Sequence, residues 1–142
     1  MGMAKVTDIA PEEWQITATI AASASANTRT AATIQRQAGQ AALATQQAPY
    51  REVWHIHDIY FVGINPSPDV QLVPRVDGVD QPMTPLASSV NISNLTRLTM
   101  PLTLPVPRGS VFSADMINTA AVGTVALTVT FKAKVIRRIV AA

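Results

Sequence analysis

Thr124-Val125-Ala126-Leu127-Thr128-Val129-Thr130-Phe131-Lys132-Ala133-Lys134-Val135-Ile136 is the stretch that decides the fold of this chain. From Val125 to Val135 every odd position is apolar, while the even positions hold threonine, alanine or lysine. Successive side chains of an extended backbone point to opposite faces, so this alternation predicts a long, half-buried β-strand. At about 3.3 Å per residue it runs on the order of 40 Å, twice the common strand length. A strand of that length belongs to a sandwich, a barrel or an assembly that continues it.

Other segments repeat the signal. Trp14, Ile16, Ala18, Ile20, Ala22, Ala24 and Ala26 alternate with mostly polar residues, and the β-branched threonines favour a strand from Trp14 to about Ala24. Val53 to Val62 reads as a strongly apolar strand ended by Gly63 and the turn cluster Asn65-Pro66-Ser67-Pro68. Val70 to Val76 is a short strand closed by Asp77-Gly78, a dipeptide typical of a two-residue hairpin turn. Leu98, Met100, Leu102, Leu104 and Val106 form a one-sided run with Pro101 and Pro105 on the opposite face. Proline lacks the ladder N–H, so this strand is expected at a sheet edge or with bulges. Arg108-Gly109 turns the chain into a further strand from Val111 to Ile117. Residues 27–48 leave helix, strand and extended arm open, with strand or arm favoured because an alanine face buries little area. No internal repeat is visible. The expectation is an all-β chain: a single β-sandwich or jelly-roll-like barrel over residues 12–142, after a tail at 1–11. Residues 12–48 are a candidate assembly arm within it.

Composition narrows the function. In 142 residues, 48% are hydrophobic and only 14% charged, against about 25% charged in an ordinary domain. Neutral threonine, serine, glutamine and alanine must therefore cover much of the exterior, which suits surfaces packed against other subunits. Trp14, Ile16 and Ile20 are the candidate assembly contacts. Lys132, Lys134, Arg137 and Arg138 form the one basic concentration, a candidate contact for an acidic partner or nucleic acid, with a solvated strand face as the plainer reading. Cysteine is absent, so thiol and disulfide chemistry are excluded. No apolar run approaches the 18 or so residues of a membrane-spanning helix, and no signal-peptide h-region follows the first residues.

His55-Ile56-His57 is the sharpest chemical candidate, because two imidazoles at i and i+2 share one face of a strand. Transition-metal sites need three or more protein ligands, however, and there are no other histidines. No nucleophile elbow, phosphate loop or dinucleotide fingerprint occurs. Asn91-Ile92-Ser93 and Asn94-Leu95-Thr96 are candidate glycosylation sequons. Neither a cofactor nor catalysis is expected.

Three further features carry a resemblance. They are the proline-led entry Ala48-Pro49-Tyr50-Arg51-Glu52-Val53-Trp54-His55-Ile56, the hairpin Val73-Pro74-Arg75-Val76-Asp77-Gly78, and the corner Leu104-Pro105-Val106-Pro107-Arg108-Gly109-Ser110-Val111-Phe112. With the long closing strand they cover about two-thirds of the chain, which thereby resembles the single jelly-roll and related β-sandwich proteins of virus particles. The resemblance implies a capsid, decoration, turret or adaptor subunit that assembles as symmetric copies with other virion proteins. A secreted or cell-surface carbohydrate-binding or adhesin-type sandwich is the alternative.

Overall fold

The computed structural model describes residues 6–62, 68–81, 86–87 and 97–140. They form two antiparallel sheets packed face to face, a β-sandwich. The long alternating segment is its central strand. β1 (Val6–Ile20) and β5 (Glu52–Val62) flank β11 (Leu127–Val140), with β3 (Thr33–Gln35) and β9 (Arg97–Val106) outside them, in the order β3-β1-β11-β5-β9. The second sheet follows the path β2 (Arg29–Ala31), β10 (Val111–Asn118), β6 (Val70–Val76), β7 (Val79–Asp80). Two short strands extend it, β4 (Gln46–Gln47) on β10 and β8 (Leu86–Ala87) on β6.

Alternation becomes burial as expected. Val129, Phe131, Ala133 and Val135 of β11 are buried with Trp14, Ile16, Ala18 and Ile20 of β1. The second sheet supplies Val70, Leu72, Phe112, Ala114 and Met116. Trp14 joins the layers, meeting Trp54 edge to face at 5.0 Å between centroids and Phe112 at 6.0 Å. Side chains of this size contribute about 1.5–3 kcal/mol each when fully buried.

Two bulges tune the neighbours to β11. One extra residue of β1 lies between the pairs Ile9↔Arg137 and Glu12↔Val135. One extra residue of β5 lies between Ile56↔Val135 and Ile59↔Ala133. The second shifts the inward parity at His57-Asp58, so that Trp54 and Ile56 before it and Ile59 and Phe61 after it all reach the core. The sequence pattern 53–62 is thus two half-strands out of phase.

β9 is an edge strand with an irregular register between Ile56 and Asp58 of its partner, as its prolines require. Pro105 stands directly opposite His55. An imino acid cannot donate there, so the pair is of the non-hydrogen-bonded type and the nitrogen faces the outer edge. The Asp77-Gly78 hairpin also forms. Both residues have positive φ, 53° and 77°, the combination a type I′ turn demands.

Several boundaries differ from expectation. The segment 6–11 is strand rather than tail, because β11 runs on to Val140 and supplies its ladder. β1 ends at Ile20, where the inward residues fall to alanine and Ser23 takes a positive φ of 60°. Val125 precedes the first ladder pair, Leu127↔Ile20, and is exposed. Residues 27–48 contain no helix; they fold as β2, β3, β4 and turns within the sandwich itself. The turn at Asn65-Pro66-Ser67 and the loop at Pro82 and Pro85 lie outside the described residues.

Gly78 has open space around its missing Cβ, so replacing it costs backbone strain alone. Gly78→Ala is expected to lower unfolding free energy by about 1 kcal/mol. Gly123, equally open but without a positive φ, should tolerate alanine unchanged or with a small gain. Chemical denaturation of both variants checks the contrast.

Candidate functional site

Four of the five inward-facing stripes of the first sheet, those of β3, β1, β11 and β5, end at the same end of the sandwich in a charge. On β1 the residue below Trp14 is Glu12; on β5 the residue below Trp54 is Glu52. On β11 the stripe Val129, Phe131, Ala133, Val135 continues to Arg137, and beyond β3 Ile34 is followed two residues later by Arg36. In strand order the four read Arg36, Glu12, Arg137, Glu52, so the signs alternate across the sheet.

The contacts follow that order. Arg36 donates to Glu12 Oε1 through Nε (3.2 Å) and Nη2 (3.0 Å). Arg137 donates through Nη1 to Glu12 Oε2 at 3.3 Å, and through Nε and Nη2 to the two oxygens of Glu52 at 2.6 and 2.9 Å. Each carboxylate also accepts from the indole two residues on: Trp14 Nε1 to Glu12 at 2.9 Å and Trp54 Nε1 to Glu52 at 3.1 Å. Every inward polar group here is satisfied by another, which is what burial of charge requires. Arg36 additionally lies over both indoles, its guanidinium carbon 5.5 Å from the Trp14 ring centre and 5.1 Å from that of Trp54.

A groove of about 400 Å³ opens over this row, with Pro11, Glu12, Glu13, Arg36, Gln37 and Arg137 on its walls. A second, of about 370 Å³, shares Glu13 and Gln37 and adds Gln15, Gln35 and Lys132. On the outer face of the second sheet a separate, more exposed set joins Arg29 to Asp115 and Asp80, and Arg75 to Asp80 at 3.0 Å. Exposed pairs of that kind contribute little to stability, because solvent and salt screen them.

Sequence reading missed the row. Its signal is a short repeat: Glu12-x-Trp14-x-Ile16 and Glu52-x-Trp54-x-Ile56 place a carboxylate, an indole and an aliphatic on one face of each strand flanking β11. The residues that sequence reading did single out are dispersed. Trp14, Ile16 and Ile20, expected as assembly contacts, have no exposed surface and sit in the chain's own core. They are large apolar side chains on the inward stripe of a strand flanking the central one. Of the basic group, Arg137 belongs to the row, and Lys132 pairs with Glu13 at 3.2 Å. Lys134 stands opposite Glu13, and Arg138 opposite Asp8 and Val53. His55 and His57 are half-exposed on β5; Thr103 Oγ1 lies 3.5 Å from His57 Nδ1. Among the described residues no three His, Asp or Glu side chains converge as metal ligands. Asn91 and Asn94 lie outside the described residues. No helix among those residues is long and apolar enough to cross a membrane.

Burial pushes the Glu12 carboxyl up, but the Trp14 and Arg36 bonds and the charges of Arg36 and Arg137 outweigh it and hold it below its ordinary value of 4.5. Glu52 is lowered chiefly by its bonds from Arg137, against burial, with help from Trp54. A carboxyl depressed by folding contributes stability that is complete above its unfolded pKa and disappears as pH falls through the folded one. Unfolding free energy should therefore hold steady near neutrality and fall below about pH 4.5, more steeply in the native chain than in Glu12→Gln/Glu52→Gln. Arg137→Met, which leaves Glu52 without its cation, is expected to cost about 2–4 kcal/mol at pH 7. Urea titrations across pH 3–8 (roughly the carboxylate-to-histidine range) check both statements.

Comparison with known protein families finds no family model that matches this chain, and comparison with curated proteins finds no match.

Proposed function

We propose that the chain is a non-catalytic structural subunit of a virus particle or comparable shell, assembling as symmetric copies. The observation that carries this reading is the outward face of the five-stranded sheet. Toward its Ile20–Leu127 end that face is uncharged and its hydroxyls are already satisfied: Thr17 Oγ1 lies 3.1 Å from Thr130 Oγ1, and Thr19 Oγ1 3.1 Å from Thr128 Oγ1, while further along Lys132 is paired with Glu13 at 3.2 Å. Half-buried Val53, Tyr60, Val62 and Ile136 share that sheet. A neutral, self-paired patch of this kind loses little hydration when covered. The ionisable groups of the site support the same conclusion. Each carboxylate of the row is locked by two or more donors, so neither is available as an acid, a base or a nucleophile.

The carbohydrate-binding alternative draws less support. Ring stacking on a sugar needs an exposed aromatic face, and both tryptophans are 0% exposed. Tyr50, at 84%, is the single aromatic among the exposed large hydrophobics described.

Sedimentation at micromolar concentration, with electron microscopy of any particle formed, is expected to reveal closed oligomers. Thr128→Glu, which puts a charge in the neutral threonine patch, should reduce assembly at least tenfold, about 1.4 kcal/mol, while leaving monomer unfolding within about 1 kcal/mol of the parent. A stable monomer at all concentrations that binds a glycan would favour the alternative.

A further inference from the structure

Two tight turns stand side by side where β5 begins. Pro49-Tyr50-Arg51-Glu52 closes with the Glu52 N–H donating to the Pro49 carbonyl at 3.0 Å, and Pro107-Arg108-Gly109-Ser110 closes with the Ser110 N–H donating to the Pro107 carbonyl at 3.0 Å. Gly109, third residue of the second turn, takes the positive φ of 76° that this position of a type II turn requires. The turns are fastened to each other through Ala48. Its N–H donates to the Ser110 carbonyl and its own carbonyl accepts from the Gly109 N–H, both at 2.9 Å, and Gln47 Nε2 donates to the Gly109 carbonyl at 3.1 Å. The Arg51 carbonyl accepts from the Val140 N–H at 2.8 Å, which ties the first turn to β11 as well. Backbone bonds thus fix both tips, and Tyr50, Arg51 and Arg108 are exposed on them.

These three side chains differ from their kind elsewhere in the molecule. Arg29, Arg36, Arg75 and Arg137 lie in ion pairs within the chain, and Arg138 is engaged too. Arg51 and Arg108 take part in no ion pair among the described residues. The carboxylates that neighbour them in the fold are occupied otherwise: Glu52 turns inward to Arg137 and Trp54, and Asp77 accepts the Val111 N–H. Tyr50 is 84% exposed, whereas Trp14, Trp54, Phe61, Phe112 and Phe131 are buried and Tyr60 is half-buried. A chain that pairs its arginines almost everywhere leaves two of them unpaired, on rigid turns, beside its most exposed aromatic ring.

We infer that the paired turns are a contact site for single-stranded nucleic acid, with one base stacked on the Tyr50 ring and the adjoining phosphates held by Arg51 and Arg108. A guanidinium bonds phosphate oxygens with two N–H groups at once, and an aromatic ring accepts the flat face of any base. Only a strand with unstacked bases uses all three groups. In a duplex the base faces are covered by their neighbours and offer the ring nothing, and an acidic polypeptide engages the arginines alone. Stacking and phosphate contact are blind to base identity, so the site reads a strand without regard to its sequence. The inference goes beyond the shell reading and does not depend on it.

The test follows the fluorescence anisotropy of labelled hexathymidylate, a strand too short to bridge distant sites, with the full chain. The native chain should bind it at about 50 mM salt and lose affinity toward about 200 mM, with a log–log slope of about −1.4 for two phosphate contacts. Arg51→Gln/Arg108→Gln should weaken binding at least about tenfold and bring the slope close to zero. Tyr50→Ala should weaken it about fivefold or more with the slope unchanged, and Tyr50→Phe should bind as the native chain does. An abasic strand of the same length should bind the native chain and Tyr50→Ala equally. Because all three positions are exposed turn tips, melting temperatures should stay within about 3 °C of the parent. If the double variant does not fold, Arg108→Glu alone takes its place, and unchanged binding by it overturns the site. A native chain that does not bind hexathymidylate, or binding that neither the arginine nor the tyrosine variants move, overturns it equally. Hexaglutamate bound as tightly as hexathymidylate assigns the arginines to an acidic protein, and a neutral glycan bound through Tyr50 without salt dependence assigns the ring to a sugar; either outcome rejects the nucleic-acid site.

Discussion

β11 has to satisfy two ladders at once, and its own backbone makes no concession to either. It pairs with β1 from Leu127 to Val140 and with β5 from Thr130 to Ile139. Its inward residues keep strict alternation from Val129 to Arg137. Since a slip of one residue would turn a whole stripe to solvent, both neighbours must be brought into phase with it, and each does so by one inserted residue. A central strand that is regular and flankers that are bulged is the arrangement that keeps Trp14, Trp54, Ile56, Ile59 and Phe61 on the same side of one sheet.

The same phase relation brings the ionic row into being. Arg137 is one step beyond Val135 on the inward stripe, so it points where a further apolar residue would otherwise go. Glu12 on β1 stands opposite Val135 and Glu52 on β5 opposite Ile139, so Arg137 lies between their levels. Placing a cation between two anions, with a second cation outside one of them, makes each nearest neighbour attractive and leaves no net charge. Desolvating charges is costly, and partial burial under these bonds reduces the loss only because geometry and hydrogen bonding are both met. The row therefore gives little net stability over an apolar end. It gives specificity of register, because sliding β1 or β5 by two residues would preserve the apolar pattern but set charge against hydrocarbon.

Much of the fold was legible because it follows from a period of two. The central strand, the Asp77-Gly78 hairpin, the proline-marked edge β9 and the β10 segment all appear where alternation and turn chemistry put them. What was not legible has a physical reason in each case. The bulge at His57-Asp58 hides in a run apolar enough to read as continuous. The short strands of residues 27–48 have weak propensities and are held by pairing with β1 and β10, which is tertiary information. Trp14 is expected from the sequence as an assembly contact, with Glu12 and Glu13 before it. In the structure those glutamates divide, Glu12 inward under the ring and Glu13 outward to Lys132, as neighbours on a strand must. The candidate site was hidden most deeply, since its four charges come from four separate segments and only the paired Glu-x-Trp-x-Ile pattern links any of them.

The scarcity of charge takes on a different meaning once those partners are known. Of the nine acidic residues, Glu12, Glu13, Glu52, Asp80 and Asp115 engage in ion pairs within the chain, and Asp77 accepts the Val111 N–H across a turn. The chain thus pairs at least five of its anions with its own cations; Glu12, Glu52 and Asp115 are buried, while Glu13 and Asp80 stay exposed. An ordinary domain uses unpaired surface charge to hold other molecules away. Internal pairing weakens that repulsion, and the threonine patch at the Ile20–Leu127 end of the sheet carries no charge, so close approach of a second surface there meets a lower electrostatic barrier.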